Sequence, residues 1–231
     1  MICSKKKFEE MGNFIPYINQ EVSNEEMSTR ATAFRQQMST RRSIRHFSDR
    51  PVNGKVIEDI IMAAASAPSG ANKQPWTFCM VSDPKIKAQI RQAAEKEEYE
   101  NYNGRMGDEW LEDLKIFGTD WQKPFLEIAP WLIVIFKISY NLDVDGVKTK
   151  NYYVQESVGI AAGMLITAIH HAGLVTLTHT PSPMNFLEKI LNRPPNEKAY
   201  LLLPVGFAVT DAEVPIIEKK GIDKVGVWYG V

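Results

Sequence analysis

The chain has 231 residues, 44% of them hydrophobic, and a formal net charge of −1. That is apolar material for one substantial core, and the near-neutral balance argues against a dedicated nucleic-acid binder, so basic clusters are read as local sites for a small anion. Two cysteines, Cys3 and Cys79, give no disulfide framework, the polar N-terminus has no apolar signal core, and no apolar run reaches the roughly 18 residues of a membrane span; a soluble, cytoplasmic protein is expected.

An N-terminal arm is expected over residues 1–24 and a single domain over 25–231. Ser23-x-x-Glu26 fits a capping box, in which side chains satisfy the free amides of a helix start. Met27, Ala31, Phe34 and Met38 follow at helical spacing and predict a helix with one buried stripe. It delivers Arg41-Arg42-Ser43-Ile44-Arg45, three guanidiniums and a hydroxyl within five residues. Arginine offers a fixed fork of donors to phosphate oxygens and keeps its charge, although a basic pentad alone equally fits a solvated face. Asn53 is placed to cap a second helix (Val56, Ile57, Ile60, Ile61, Ala64) that must stop near Ser66, because Pro68 and Gly70 follow.

Trp76 to Val81 predicts a strand, and Asp83-Pro84 starts a helix with Ile86, Ile90 and Ala93 on one face. Residues 95–123 are rich in charge and aromatics, as expected of a loosely anchored helical lid. Trp131 to Ile138 predicts a central strand buried on both faces, and residues 141–150 a polar loop. Tyr152 to Ala172 is apolar nearly all round, with Gly173 to end it; a subunit interface is the expected place for such a helix. Leu174 to Thr178 is a short strand, Ser182-Pro183 is read as the cap of a helix through Leu191, and Ala199 to Ala208 is another strand before a C-terminal extension over 209–231. Without strict strand–helix alternation, the pattern points to an α+β layer fold.

Common nucleotide motifs are missing: neither a dinucleotide glycine fingerprint nor a Walker loop is present. Without a nucleophile elbow, Ser69 has little claim to catalysis. His46, His170, His171 and His179 lack metal-ligand spacing, so no metal is expected.

Three pieces belong together: Arg41-Arg42-Ser43-Ile44-Arg45, then Ala67-Pro68-Ser69-Gly70-Ala71-Asn72 leading to Gln74-Pro75-Trp76, then a late Lys219-Lys220 before Gly221-Ile222-Asp223. Together they resemble the flavin-binding pattern of the nitroreductase superfamily over roughly residues 25 to 225. Glu98-Tyr99-Glu100-Asn101-Tyr102-Asn103-Gly104-Arg105-Met106-Gly107, Trp121-Gln122-Lys123 and Thr176-Leu177-Thr178-His179-Thr180-Pro181 resemble its iodotyrosine deiodinase branch. The resemblance implies a mixed, mainly antiparallel sheet flanked by helices, an interlocked homodimer, and FMN at each subunit interface. Arg41, Arg42, Ser43, Arg45, Thr178, His179, Thr180 and Lys219 would hold the flavin, with Ser69 arriving from the partner subunit. By family position Arg45 lies beside N1 and O2 of the ring, where a positive charge favours the reduced anion. Thr180 is the implied catalytic hydroxyl beside N5, suited to stepwise electron delivery; the alternative is a strand-end hydroxyl bonding its own backbone.

Glu98 and Tyr102, one helical turn apart, and Lys123 suit an amino-acid zwitterion, carboxylate to ammonium and ammonium to carboxylate. The alternative for Glu98 is a solvated acidic face shared with Glu95, Glu97 and Glu100. A phenol would stack on the flavin, with the Ala71 amide on its phenolate oxygen. The implied activity is reductive dehalogenation of iodo-, bromo- or chlorotyrosine. Alternatives are a generalist NAD(P)H-dependent nitroreductase or quinone reductase, and a non-catalytic binder of flavin or tyrosine-like ligands. The membrane anchor of animal members has no counterpart here, as expected of a soluble bacterial homologue. His179 stands where animal members tend to have threonine, and Lys219 replaces an arginine, with Lys220 able to share its role. The sequence leaves open the electron donor and the preferred halogen; with no NAD(P) motif evident, a separate reductase or small electron carrier is the expected donor.

Overall fold

The computed structural model describes residues 14–230, and Cys3 lies outside them. Two compact units are distinguished, one ending at Thr40 and the other beginning at Arg41. In the first, helix α1 (Asn24–Ser39) starts where Ser23 accepts a hydrogen bond from the Glu26 amide at 3.1 Å. The stripe expected to be buried is not: Met27 is 55% and Phe34 53% exposed.

The second unit is built on strands β1 (Phe47–Ser48), β2 (Trp76–Val81), β3 (Trp131–Ile138), β4 (Tyr140–Leu142), β5 (Lys148–Lys150), β6 (Val175–Thr176) and β7 (Glu197–Ala208). The long β7 is the spine. It pairs antiparallel with β3, β1 and β6, and β2 extends the sheet beyond β3. Among the described residues, the parallel component is a single bridge between Ser43 and Thr176. Helices α2 (Gly54–Ala65), α3 (Pro84–Glu100), α4 (Asp108–Lys115), α5 (Phe125–Ile128), α6 (Val154–His171), α7 (Asn185–Ile190) and α8 (Ile222–Val225) complete it.

The apolar run of β3 follows from its covering on both faces. Ile133 and Ile135 point toward α2 and α6, where Ile57, Ile60, Ile61, Val158, Leu165 and Ile169 are buried. Leu132, Val134 and Phe136 point the other way, toward Ile90, Phe125, Leu126 and Leu187 of α3, α5 and α7. Each such side chain contributes about 1.5–3 kcal/mol when fully buried. Asn53 caps α2 by accepting from the Lys55 amide at 2.8 Å, and α6 ends at Gly173, whose φ of +77° suits a residue without a Cβ.

Two sequence expectations fail locally. The polar loop over 141–150 is a hairpin, β4 with β5, closed where Asp143 Oδ1 accepts from the Asp145 and Val147 amides at 3.0 and 2.8 Å. Ser182 does not cap α7, whose N-cap is Met184; the Ser182 carbonyl instead accepts from Asn101 Nδ2 at 3.1 Å. Among the described residues, no helix is long and apolar enough to cross a membrane.

Candidate active site

The arginine pentad is fixed in extended form. The Ile44 amide donates to the Thr176 carbonyl at 3.2 Å, which docks the segment onto β6, and Arg42 Nη2 donates to the Pro215 carbonyl of the C-terminal extension. A cleft of about 90 Å³ is lined by Arg41, Arg42, Ser43, Arg45 and Lys219, with Phe117, Pro215 and Ile217 as apolar walls. None of these lining residues is acidic, so the cations answer to nothing in the cleft itself. Such a donor set is chemically matched to a phosphomonoester, whose oxygens take charged forks best. Lys219, rather than Lys220, lines it. A larger neighbouring cleft of about 450 Å³ shares Ser43, Arg45, Phe117 and Pro215 and continues past Thr119 to Phe125. Arg45 bridges the two, half buried, with its guanidinium 5.7 Å from the Phe117 ring.

The segment after β6 joins the sheet, the floor of this unit, beside β7. Thr178 and Thr180 are exposed while His179 between them is buried, the alternation of an extended strand. His179 exchanges backbone hydrogen bonds with Leu202 of β7 at 2.8 and 3.1 Å, and its ring meets Phe125 edge-on at 5.7 Å. Burial first, then the charges of Lys123 and Arg45, lowers its pKa to about 3, so the imidazole is neutral. Its Nε2 has no hydrogen-bond partner among the described residues.

The segment expected to act as a lid spans residues 95–123 and carries Lys123. Past α3 the chain makes one wide helical turn, Asn101–Arg105, then α4. Glu98, which the sequence also allowed as a solvated face residue, is 7% exposed, and Lys123 is 4% exposed. Lys123 Nζ stands 3.6 Å from Glu98 Oε2. It donates to Thr119 Oγ1 at 3.1 Å and to the Asp120 carbonyl, and lies 5.4 Å from the Tyr102 ring centroid. The Tyr102 hydroxyl donates to the Thr119 carbonyl at 3.3 Å. Burial pushes the Glu98 carboxyl above its usual range and the Lys123 ammonium below its own, and their mutual attraction offsets this only in part. Burial likewise raises Tyr102.

Glu98, Tyr102 and Lys123 are therefore brought together, as are Arg41, Arg42, Ser43, Arg45 and Lys219. Ser69, Ala71, Glu98, Tyr102, Lys123, Thr178, His179 and Thr180 are not among the residues lining either cleft. Ser69 and Ala71 belong to a tight turn in which Ala71, Asn72 and Gln74 have positive φ. Ser69 Oγ accepts from the Gln74 amide at 2.9 Å, and the turn backs onto the start of α6 where the Gly70 amide donates to Ser157. Sequence reasoning missed Glu95, whose Oε1 accepts from Arg91 Nε and from the Lys123 amide, each at 2.7 Å. Thr119, which carries both Lys123 and Tyr102, was missed too; its spacing of four from Lys123 was the available signal.

The sequence model of the nitroreductase family matches residues 38–207, and the chain belongs to that family. Within it the likeness is to the iodotyrosine deiodinase branch. The iodotyrosine deiodinase of Haliscomenobacter hydrossis is 61% identical, over 94% of this chain and 97% of that protein. The one of Nematostella vectensis is 45% identical, over 92% and 81%. A crystal structure of oxidized iodotyrosine deiodinase bound to FMN and 3-iodo-L-tyrosine superimposes with a TM-score of 0.72 at 30% identity, covering 86% of this chain and 99% of that one.

Proposed function

We propose that the chain is an FMN-dependent reductive dehalogenase of halotyrosines, converting iodotyrosine, and by the same chemistry bromo- or chlorotyrosine, to tyrosine and halide. The observation that carries this reading is the buried Glu98–Lys123 pair beside Tyr102, held by Thr119 and Asp120, which line the larger of the two clefts joined by Arg45. Two opposite charges are expensive to bury without a purpose, and an amino acid presents the complementary two.

Arg41, Arg42, Ser43 and Lys219 hold the phosphate, and Arg45 places positive charge against the polar edge of the ring. FMN, when bound and reduced, would supply the two electrons, delivered singly, that together with one proton replace the halogen by hydrogen and release halide. Thr180 donates its hydroxyl to the flavin edge, supported by the exposed face it shares with Thr178. His179 is neutral beneath them and takes no part in proton transfer near neutral pH. Glu98 pairs with the substrate ammonium, Lys123 with its carboxylate, and the Tyr102 hydroxyl adds a donor. Ser69 and Ala71 complete the site from a second copy of the chain, which fits their position on the turn against α6. The donor of electrons is a separate reductase or carrier, and the compartment is the cytoplasm.

The test is anaerobic. Purified protein is loaded with FMN, reduced with dithionite and given 3-iodotyrosine while flavin absorbance and free iodide are followed. Iodide released in proportion to flavin reoxidised is the expected result. Reduced flavin indifferent to iodotyrosine but discharged by a nitroarene would select a generalist nitroreductase instead.

A further inference from the structure

We propose that Ser157 is a positioning residue for the phenol end of the substrate: through Gly70 it aims the Ala71 amide at the phenolate oxygen. The inference rests on the halotyrosine reading above and adds to it what fixes that donor. Ala71 lies in the turn between α2 and β2, where most hydrogen bonds are internal. The Asn72 amide donates to the Ser69 carbonyl at 3.0 Å, the Lys73 amide to the Gly70 carbonyl at 3.1 Å, and the Gln74 amide to Ser69 Oγ at 2.9 Å. From Gly70 to Gln74, the Ala71 amide alone has no acceptor among the described residues, and Ala71 is exposed.

The direction of that amide is set by Gly70. A peptide unit is planar and trans, so its N–H points opposite to its C=O. The Gly70 carbonyl faces the Lys73 amide, and the Ala71 N–H of the same unit therefore points away from Lys73. The geometry is strained, since Ala71 and Asn72 hold left-handed φ values of +50° and +52°, which residues with a Cβ rarely adopt. Such a conformation persists only where its surroundings hold it. Among the described residues, one hydrogen bond leaves the stretch 69–73 for another element: the Gly70 amide donates to Ser157 Oγ at 3.4 Å. Ser157 stands in the first turn of α6 and is 2% exposed. The bond is long, and packing backs it. A Cβ on Gly70 would lie 3.0 Å from both the Tyr152 carbonyl oxygen and Tyr153 Cδ2, so glycine is what lets the turn come this close to the start of α6. That start is itself tied to the sheet, because Asn151 Nδ2 donates to the Ile138 carbonyl of β3 at 2.9 Å.

An amide aimed at the oxygen favours the anion over the neutral phenol. Losing its aim therefore weakens phenolate binding and hardly touches phenol binding, whereas a general loss of structure weakens both. The experiment uses FMN-loaded wild type, Ser157→Ala, Ser157→Thr and Gly70→Ala. Each is titrated with 3-iodotyrosine by flavin fluorescence at pH 6 and pH 9, on either side of the iodophenol ionisation. Ser157→Ala is expected to bind about tenfold more weakly than wild type at pH 9 and within about twofold of it at pH 6. Gly70→Ala should show the same pH-dependent loss with Ser157 in place. Ser157→Thr keeps the hydroxyl and should stay within about threefold of wild type at both pH values. Lys73, Tyr152, Tyr153 and Glu156, the titratable neighbours of the turn, are the same in all four proteins and cancel. Amide hydrogen exchange over 69–74 without ligand supplies the second readout, and should quicken in Ser157→Ala and Gly70→Ala.

Equal losses at the two pH values would make Ser157 a structural residue only, and no loss in Ser157→Ala would remove it from the site. Either result overturns the inference. If wild type fails to bind 3-iodotyrosine, the halotyrosine reading fails instead, and exchange over 69–74 then decides whether Ser157 holds the turn.

Discussion

The sheet floor and the charged segment expected to be its lid, residues 95–123, are held by different forces. On the floor, β3 and β7 run side by side with Leu132 to Phe136, Leu202, Leu203 and Val205 all fully buried. In the lid, α4 buries no residue, and order comes from Glu98, Asn101, Tyr102 and Lys123 bonding one another and their neighbours. Apolar burial is indifferent to what a ligand carries. Ion pairs and hydrogen bonds can be reassigned to a ligand, so a lid built from them can recognise what it closes on. The sharpest way to break this comparison is to truncate one side chain in each region. Leu202→Ala, in the sheet, should cost about 2–5 kcal/mol by the loss of burial and the cavity left behind. Trp110→Ala, on a lid residue 62% exposed, should stay within about 0.5 kcal/mol. Urea unfolding measures both; a Trp110 effect as large as that of Leu202 would mean the lid is part of the core.

His179 is the floor's exception, a titratable ring in an apolar place. Its pKa in the folded chain is about 3, lowered from 6.5. Between those values the unfolded chain binds the extra proton, so stability falls as pH drops through this window. The loss attributable to this group is about 2 kcal/mol at pH 5 and approaches about 5 kcal/mol below pH 3. His179→Leu should remove that share, so its stability measured by urea at pH 7 and pH 5 changes less than that of wild type. Equal changes in the two proteins would show that the ring takes up a proton without unfolding.

The arginine-lined cleft, the proposed phosphate site, joins a fixed part to a loose one. The pentad is tied to β6 through Ile44 and to the extension through Arg42, whereas Lys219 is an exposed point charge at the edge. Arg42→Ala should weaken FMN binding about tenfold or more, as expected for losing a charge-assisted contact. Lys219→Ala should weaken it by less, because an exposed ammonium is solvated and screened. Fluorescence titration of FMN gives both constants. A larger loss at Lys219 would put the phosphate nearer the extension than the pentad.

Legibility in the sequence follows the same division. β2 and β3 came out residue for residue, and α2 with its Asn53 cap and Ser66 stop, because short apolar runs and helix capping are local chemistry. The arginine cleft was legible as a basic pentad, although its apolar walls, Phe117 and Ile217, come from segments far along the chain. The lid pair was legible only as two charged residues with a plausible partner. Their burial, and the service of Glu95 beside them, depends on how α3 meets the segment before α5, which no spacing rule encodes. The exposed stripe on α1 and the hairpin β4–β5 failed for a related reason. The amphipathic pattern marks a face that seeks apolar cover without naming the cover, and Asp143 closes its hairpin with polar residues that show no alternation.

The smallest effects test what keeps the lid in place. Asn101 is buried and its Nδ2 donates to the Ser182 carbonyl at 3.1 Å, tying the wide turn to the segment before α7. Arg105 pairs with Glu97 at 2.7 Å, but its side chain is 48% exposed. By geometry the second contact is shorter, yet solvent competes for it and side-chain entropy opposes it. Asn101→Ala should therefore open the lid by about 1 kcal/mol, since it removes a buried donor and leaves the carbonyl without its partner. Arg105→Ala should change lid opening by less than about 0.5 kcal/mol. Hydrogen exchange over 101–115 reads the two directly. If Arg105→Ala releases the lid more than Asn101→Ala, its outer ion pairs hold it, and raising the salt should loosen wild type as much as the mutation does.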